Sequence, residues 1–274
     1  MRAVVPVLAL VVACGGAATG ELDTPAPPGL TAPPPIADED VAGLVAGEIM
    51  RFDVKVAGVL AGEAQVAVGE PGLVGGVRAV AVSSRIASAG ALALIKEVRD
   101  EGTSIIDMDR LAPISSKADV AFGDKRYHAD AWFEPHAATI EYQPEGRSSL
   151  TIRYRFGDQE VHDALSAMAK VRTWRAEPGD RLGLWMIGGR RIWRSEIWSV
   201  GPEVIGTRLG NQPTLRLDGT SHRALADLKL DPTKKPRSFS VWLSDDADRV
   251  PLLVKAKTEY GDLTIELVDY QRPE

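Results

Sequence analysis

The chain has 274 residues, a formal net charge of −6 and one cysteine, Cys14. An acidic balance without basic runs argues against nucleic acid as a partner and supplies no polybasic patch for anionic membrane surfaces. With no cysteine beyond position 14, the folded part contains neither an internal disulfide nor a thiolate metal site.

Met1-Arg2 gives a minimal positive start, and Ala3 to Ala13 is an uncharged apolar run. Its length suits the hydrophobic region of a signal peptide and falls short of a membrane span. The run closes on Val11-Val12-Ala13-Cys14, which resembles the lipobox of bacterial lipoproteins. In that pathway the cysteine sulfur takes a diacylglycerol and the leader is removed before it. Lipid attachment at Cys14 is the leading reading. Cleavage near Ala17-Ala18 and a retained N-terminal anchor are the alternatives. The organisation that follows is a leader over 1–13, a lipidated tether rich in Pro, Ala and Gly over 14–40, and a single β-rich domain over 44–272. The expected address is the bacterial cell envelope, lipid-anchored, on the periplasmic side of the outer membrane.

Beyond residue 44 the pattern is alternation of apolar and polar residues, punctuated by glycine turns. Phe52, Val54 and Val56 alternate with Asp53 and Lys55, and Leu150, Ile152, Tyr154 and Phe156 alternate with Thr151, Arg153 and Arg155. Period two predicts half-buried strands. Gly123-Asp124, Gly188-Gly189 and Gly261-Asp262 each separate two such runs, as in tight hairpins. With two-residue loops, Val120 and Ala118 share an apolar face with Tyr127, Ala129 and Ala131. Around Gly261-Asp262, Tyr260 faces Leu263, Ala256 faces Leu267, and Lys257 faces Glu266. The Gly188-Gly189 ribbon is apolar on both sides, with Trp185, Ile187 and Ile192 on one and Leu184, Met186 and Trp193 on the other. It is therefore expected at the centre of the structure or covered on its second side. Val161, Leu165, Met168 and Val171 or Arg172 follow helical spacing, with Asp163 as N-cap. Ile86 to Ile95 is ambiguous between helix and strand. The fold class that results is mainly β, a curled antiparallel sheet or partly closed β-barrel of hairpins with one short helix packed on its concave side.

Several phrases, in order, resemble the bacterial exported family known as domain of unknown function 3108. They are Gly47-Glu48 before Phe52-Asp53-Val54, Ala61-Gly62-Glu63-Ala64, and Ser104-Ile105-Ile106-Asp107 with Leu111 and Pro113. They continue with Asp163-Ala164-Leu165-Ser166-Ala167 running to Arg172, and Val241-Trp242-Leu243-Ser244-Asp245-Asp246 with Arg249 and Pro251. The chain departs from the pattern at Met168-Ala169-Lys170, where the family often carries aromatic residues. The resemblance implies an extracytoplasmic, mainly β protein and supplies no catalytic residues.

The search for chemistry finds little. His128, His136, His162 and His222 show no metal-ligand spacing, and no cofactor or nucleophile motif is present. Asp245-Asp246-Ala247-Asp248-Arg249 reads as a charged turn, not a calcium loop. Asp107 ends a strand, and Asp109-Arg110 begins the next turn. Trp174, Trp185, Trp193 and Trp198 with Arg191 are the candidate ligand-facing residues, against the alternative that they are packing and surface cover. The expected function is a non-catalytic envelope lipoprotein, held to a membrane through its lipid anchor, whose curled sheet binds a lipid or other amphiphile or an envelope protein partner. The alternatives are a structural or assembly protein with a filled core, and a cell-wall hydrolase.

Overall fold

The computed structural model describes residues 43–90, 97–258 and 261–273. The leader, the tether with Cys14, half of the ambiguous stretch and Tyr260 lie outside the described residues. Hairpin follows hairpin: β1 (Ile49–Val56), β2 (Val59–Val74), β3 (Val77–Ser88), β4 (Val98–Asp107), β5 (Ala112–Phe122), β6 (Lys125–Glu134), β7 (Ala137–Pro144) and β8 (Leu150–Arg155). A short strand, β9 (Val161–His162), leads into helix α1 (Ala164–Thr173). The chain then continues through β10 (Arg181–Gly188), β11 (Arg191–Thr207), β12 (Gly210–Ala224), β13 (Arg237–Ser244), β14 (Pro251–Thr258) and β15 (Gly261–Gln271).

All fifteen strands form one sheet in the order β8-β7-β6-β5-β4-β3-β2-β1-β15-β14-β13-β12-β11-β10-β9. Every pairing is antiparallel except β9 with β10. The edges, β8 and β9, do not pair, so the sheet curls without closing. Register shifts in β1–β2, β4–β5 and β11–β12 add local bend, as bulges do.

One concave row, Gly62, Val54, Ile265, Val254, Val241 and Leu217, crosses six adjacent strands and is apolar beyond the first residue. On the other half, the row Ser104, Ser116, Ala131, Ile140 and Ile152 begins with small side chains. Small residues let that half roll tightly. Its concave face carries Ala131, Ala138 and Ile140, which pack with Phe156 on Ile187, Ile192 and Ala224 from the outer side of β10–β12. The sheet is thus a scroll whose first half laps over the outside of its last. This lap covers the second apolar side of the β10–β11 ribbon. The other side, with Leu184, Met186 and Trp193, belongs to the main core.

Outside the lap, the β11–β12 hairpin bends at the irregularity after Ser199 and folds across the sheet. Arg208 at its tip donates to Asp53 at 2.5 Å and, through its backbone N–H, to Glu266 at 3.0 Å. The indole N–H of Trp242 donates to Glu203, and Arg216 and Lys255 lie over the same ring.

Three sequence expectations need correction. The Gly123-Asp124 turn is as expected, with Phe122 opposite Lys125 and Val120 opposite Tyr127. The next turn is Gly189-Arg190, because Gly188 pairs with Arg191. The last turn precedes Gly261: Thr258 pairs with Gly261 and Ala256 with Leu263, so Lys257 faces Asp262, not Glu266. Glu266 instead meets Lys55 at 2.9 Å. Both slips preserve the side-chain faces, so the apolar face survives. Finally, Val161 belongs to β9, and the helix starts only at Ala164.

Candidate functional site

Helix α1 is held at both ends. At its start, the Asp163 carboxylate accepts from the Ser166 backbone N–H at 2.8 Å, and the Ser166 hydroxyl oxygen accepts from the Asp163 N–H at 3.0 Å. This reciprocal cap satisfies two donors that a helix otherwise leaves open. At its end, Arg172 is fully buried and forms a two-pronged pair with the equally buried Glu48. The Arg172 Nε also donates to the Asp248 carbonyl at 3.1 Å, and the Tyr270 hydroxyl donates to Glu48 at 3.2 Å. Burial, with the Glu48 carboxylate beside it, pushes the Tyr270 phenol above its ordinary range. One helix turn is therefore tied to the start of β1, the β13–β14 turn and β15.

Beside α1, Glu160 lies 3.2 Å from Lys170 and 3.4 Å from the buried imidazole of His162. His162 holds the Glu160 carboxyl down to about 2, with Lys170 adding to the effect and burial opposing it. The His162 ring nitrogens make no hydrogen bond to the described residues.

Between α1 and the concave sheet lies an apolar cleft of about 40 Å³. Ala167, Met168 and Val171 form its helix side, and Leu217, Phe239 and Val241 are among its sheet residues. Phe239 takes this position because Gly219 opposite has no side chain. A Cβ there would meet the Phe239 ring at 2.3 Å. Ile197 and Leu184 extend the lining along β11 and β10.

The five residues singled out from the sequence do not converge. Trp193 sits on the concave face in the main core. Trp185 occupies the opposite face of the same ribbon, between Phe156 at 6.5 Å and Arg194 at 5.5 Å. Trp198 shares the side of Trp185 by strand alternation and pairs with Asp218. Trp174 caps the C-terminus of α1 and packs against the main core. Arg191 is half-buried at the start of β11. The cleft residues Met168 and Phe239, and the latch residues Glu48, Arg172 and Tyr270, were not singled out as a site. Glu48 and Arg172 do fall in the phrases that carry the family resemblance, and Arg172 also falls in the helical spacing.

The two carboxylate clusters weighed as chemistry are turns. Asp107 ends β4, and its carboxylate accepts from the backbone N–H groups of Asp109 and Arg110 at 2.9 and 3.1 Å. Asp246 accepts from the backbone N–H groups of Asp248 and Arg249 and from the Ser244 hydroxyl. Among the described residues, no helix is long and apolar enough to cross a membrane.

The fold is shared with a β-barrel-like protein of the DUF1849 family from Brucella abortus, with a TM-score of 0.55 and 10% identity over 86% of this chain and 100% of that one. A protein described as exported, with a YmcC-like fold, from Bacteroides fragilis aligns at a TM-score of 0.38 and 8% identity, over 84% of this chain and 98% of that one. A protein described as a lipoprotein from Parabacteroides distasonis aligns at 0.36 and 7%, over 85% and 100%. No curated protein matches the sequence. The model of a protein family of unknown function, DUF3108, matches residues 51–268, and the chain belongs to that family.

Proposed function

We propose that this is a non-catalytic lipoprotein of the cell envelope, anchored at Cys14, that receives the acyl part of an amphiphile between α1 and the concave sheet. The observation that carries the reading is the cleft under α1. Its helix side is Ala167, Met168 and Val171, and its sheet side is equally apolar, at the middle of the concave face. Ligand sites of this kind are concave and mainly apolar, with a few placed polar groups. Asp107 and Asp246, from the two acidic clusters weighed as chemistry, accept from the backbone of their own turns. Admission of an acyl chain requires α1 to lift, because about 40 Å³ holds little more than a water molecule.

That same volume favours a second reading, a structural or assembly role with the concave side filled by side chains. Uptake of parinaric acid separates the two. The full chain with Cys14→Ser, purified without detergent, is expected to give a saturable fluorescence increase at one probe per chain. Met168→Glu, which places a charge on the helix side of the cleft, is expected to weaken uptake about tenfold or more. A linear, unsaturated response that Met168→Glu leaves unchanged supports the structural role instead.

A further inference from the structure

One end of the concave face collects cationic donors. Trp193 of β11 pairs with Arg223 of β12, and Ser221 of β12 pairs with Arg237 of β13. Arg191, Arg223 and Arg237 therefore stand on one face of three adjacent strands as diagonal neighbours. Arg190 follows at the turn, its guanidinium 5.2 Å from the centre of the Tyr142 ring, and Arg237 lies 5.4 Å from the centre of Trp193. Tyr127, close to Gly189, packs against Tyr142 at 4.9 Å in the lapping half, beside the turn that carries Arg190.

Arg190, Arg191, Arg223 and Trp193 leave donors without acceptors among the described residues. Arg190 and Arg191 make no ion pair among the described residues. Arg223 approaches Asp231 at 3.6 Å, yet its buried Nε has no hydrogen-bond partner among the described residues. The indole N–H of Trp193, 5% exposed, has none either. Burial, and then repulsion from Arg223 and Arg190, pulls Arg191 below its ordinary value. Like charges gathered on half-buried side chains, beside buried donors without acceptors, are stabilised by an anion rich in oxygen acceptors.

We propose that this end of the concave face binds a phosphate-type anion, held by Arg191 and Arg223 with the indole N–H of Trp193 donating to it. The identity of its carrier rests on the acyl-binding reading above: the anion is the headgroup of a phospholipid-like amphiphile whose chain runs toward the cleft. Phe239 of the cleft is two residues along β13 from Arg237, roughly 7 Å.

Calorimetric titration of the full chain carrying Cys14→Ser tests this with three probes. They are a short-chain phosphatidylglycerol below its micelle concentration, a monoacylglycerol of the same chain length, and inorganic phosphate. The phosphatidylglycerol is expected to bind one per chain and more tightly than the uncharged lipid. Arg191→Gln is expected to weaken it about tenfold or more. Arg190→Gln, at an exposed turn position that does not threaten folding, is expected to weaken it in the same direction by less. Phosphate binding with the same arginine dependence, while both lipids fail to bind, supports the anion site and removes the acyl-binding reading. Equal binding of the two lipids, unchanged in both arginine variants, overturns the anion site and leaves the acyl-binding reading in place. No binding of any probe overturns both.

Discussion

Arg172 reaches from the last turn of α1 to a place without access to water and meets both carboxylate oxygens of Glu48 there. A buried pair of this kind adds little net stability, but removing one partner strands the other charge. Arg172→Met is therefore expected to cost about 3–5 kcal/mol, and the double variant Arg172→Met with Glu48→Gln distinctly less, as measured by urea unfolding. Equal losses in the two variants would show that the guanidinium matters through packing alone. Glu160 provides a pH test. Its folded carboxyl is held at about 2, whereas an unfolded glutamate titrates near 4.3. Its contribution is thus fully present above about pH 4.3 and is lost as the pH falls toward 2. The carboxylate is about a third exposed, so screening limits the effect to about 1 kcal/mol or less. Glu160→Gln is expected to flatten the fall in melting temperature across that window, lowering the temperature slightly at pH 7 and leaving it unchanged near pH 2.

At the level of strands and helix, alternation made faces legible and left turns open by a residue or two. Gly188-Gly189 and Gly261-Asp262 both look like two-residue hairpin loops. The residues actually chosen depend on neighbours far away in sequence. Gly189, at φ +55, is the glycine that turns, with Tyr127 of the lapping half packed close to it. Asp262 is held in the sheet because its carbonyl accepts from the Ala57 N–H of another hairpin at 2.8 Å. The same alternation shows why Trp185 and Trp193 do not form one site. Eight positions apart in sequence, they lie on strands whose pairing sets them on opposite faces, one in the lap and one in the main core. The arginine cluster was less legible still, since Arg191, Arg223 and Arg237 meet only through the register of three strands. Gly62 tests how tightly β2 and β3 approach. A Cβ there would lie 2.6 Å from the Ala87 carbonyl oxygen, a backbone atom with little room to yield. Gly62→Ala is expected to destabilise the fold by about 1–3 kcal/mol in thermal unfolding, with loss of amide-exchange protection centred on β2 and β3.

For the whole molecule, closure comes from packing one face on another instead of from pairing the edges. That arrangement depends on Phe156, fully buried just beyond β8, and on Ile140 opposite Ile187 and Ile192. Phe156→Ala is expected to cost about 3–5 kcal/mol and to raise hydrogen exchange in β6–β8 first. Strands β1 and β15, at the middle of the sheet, are expected to keep their protection. A uniform loss across all strands would mean that the scroll unfolds as one unit and that the lap is not a separate closure. The proposed holding of an amphiphile rests on the apolar cleft between helix and sheet and on the donors without acceptors at one end. The direct measurement is native mass spectrometry of the full chain with Cys14→Ser, purified from a bacterial periplasm without detergent, followed by analysis of its organic extract. One bound anionic amphiphile per chain is the expected result. A chain recovered empty, folded and equally stable would contradict amphiphile binding and leave the filled, structural scroll in its place.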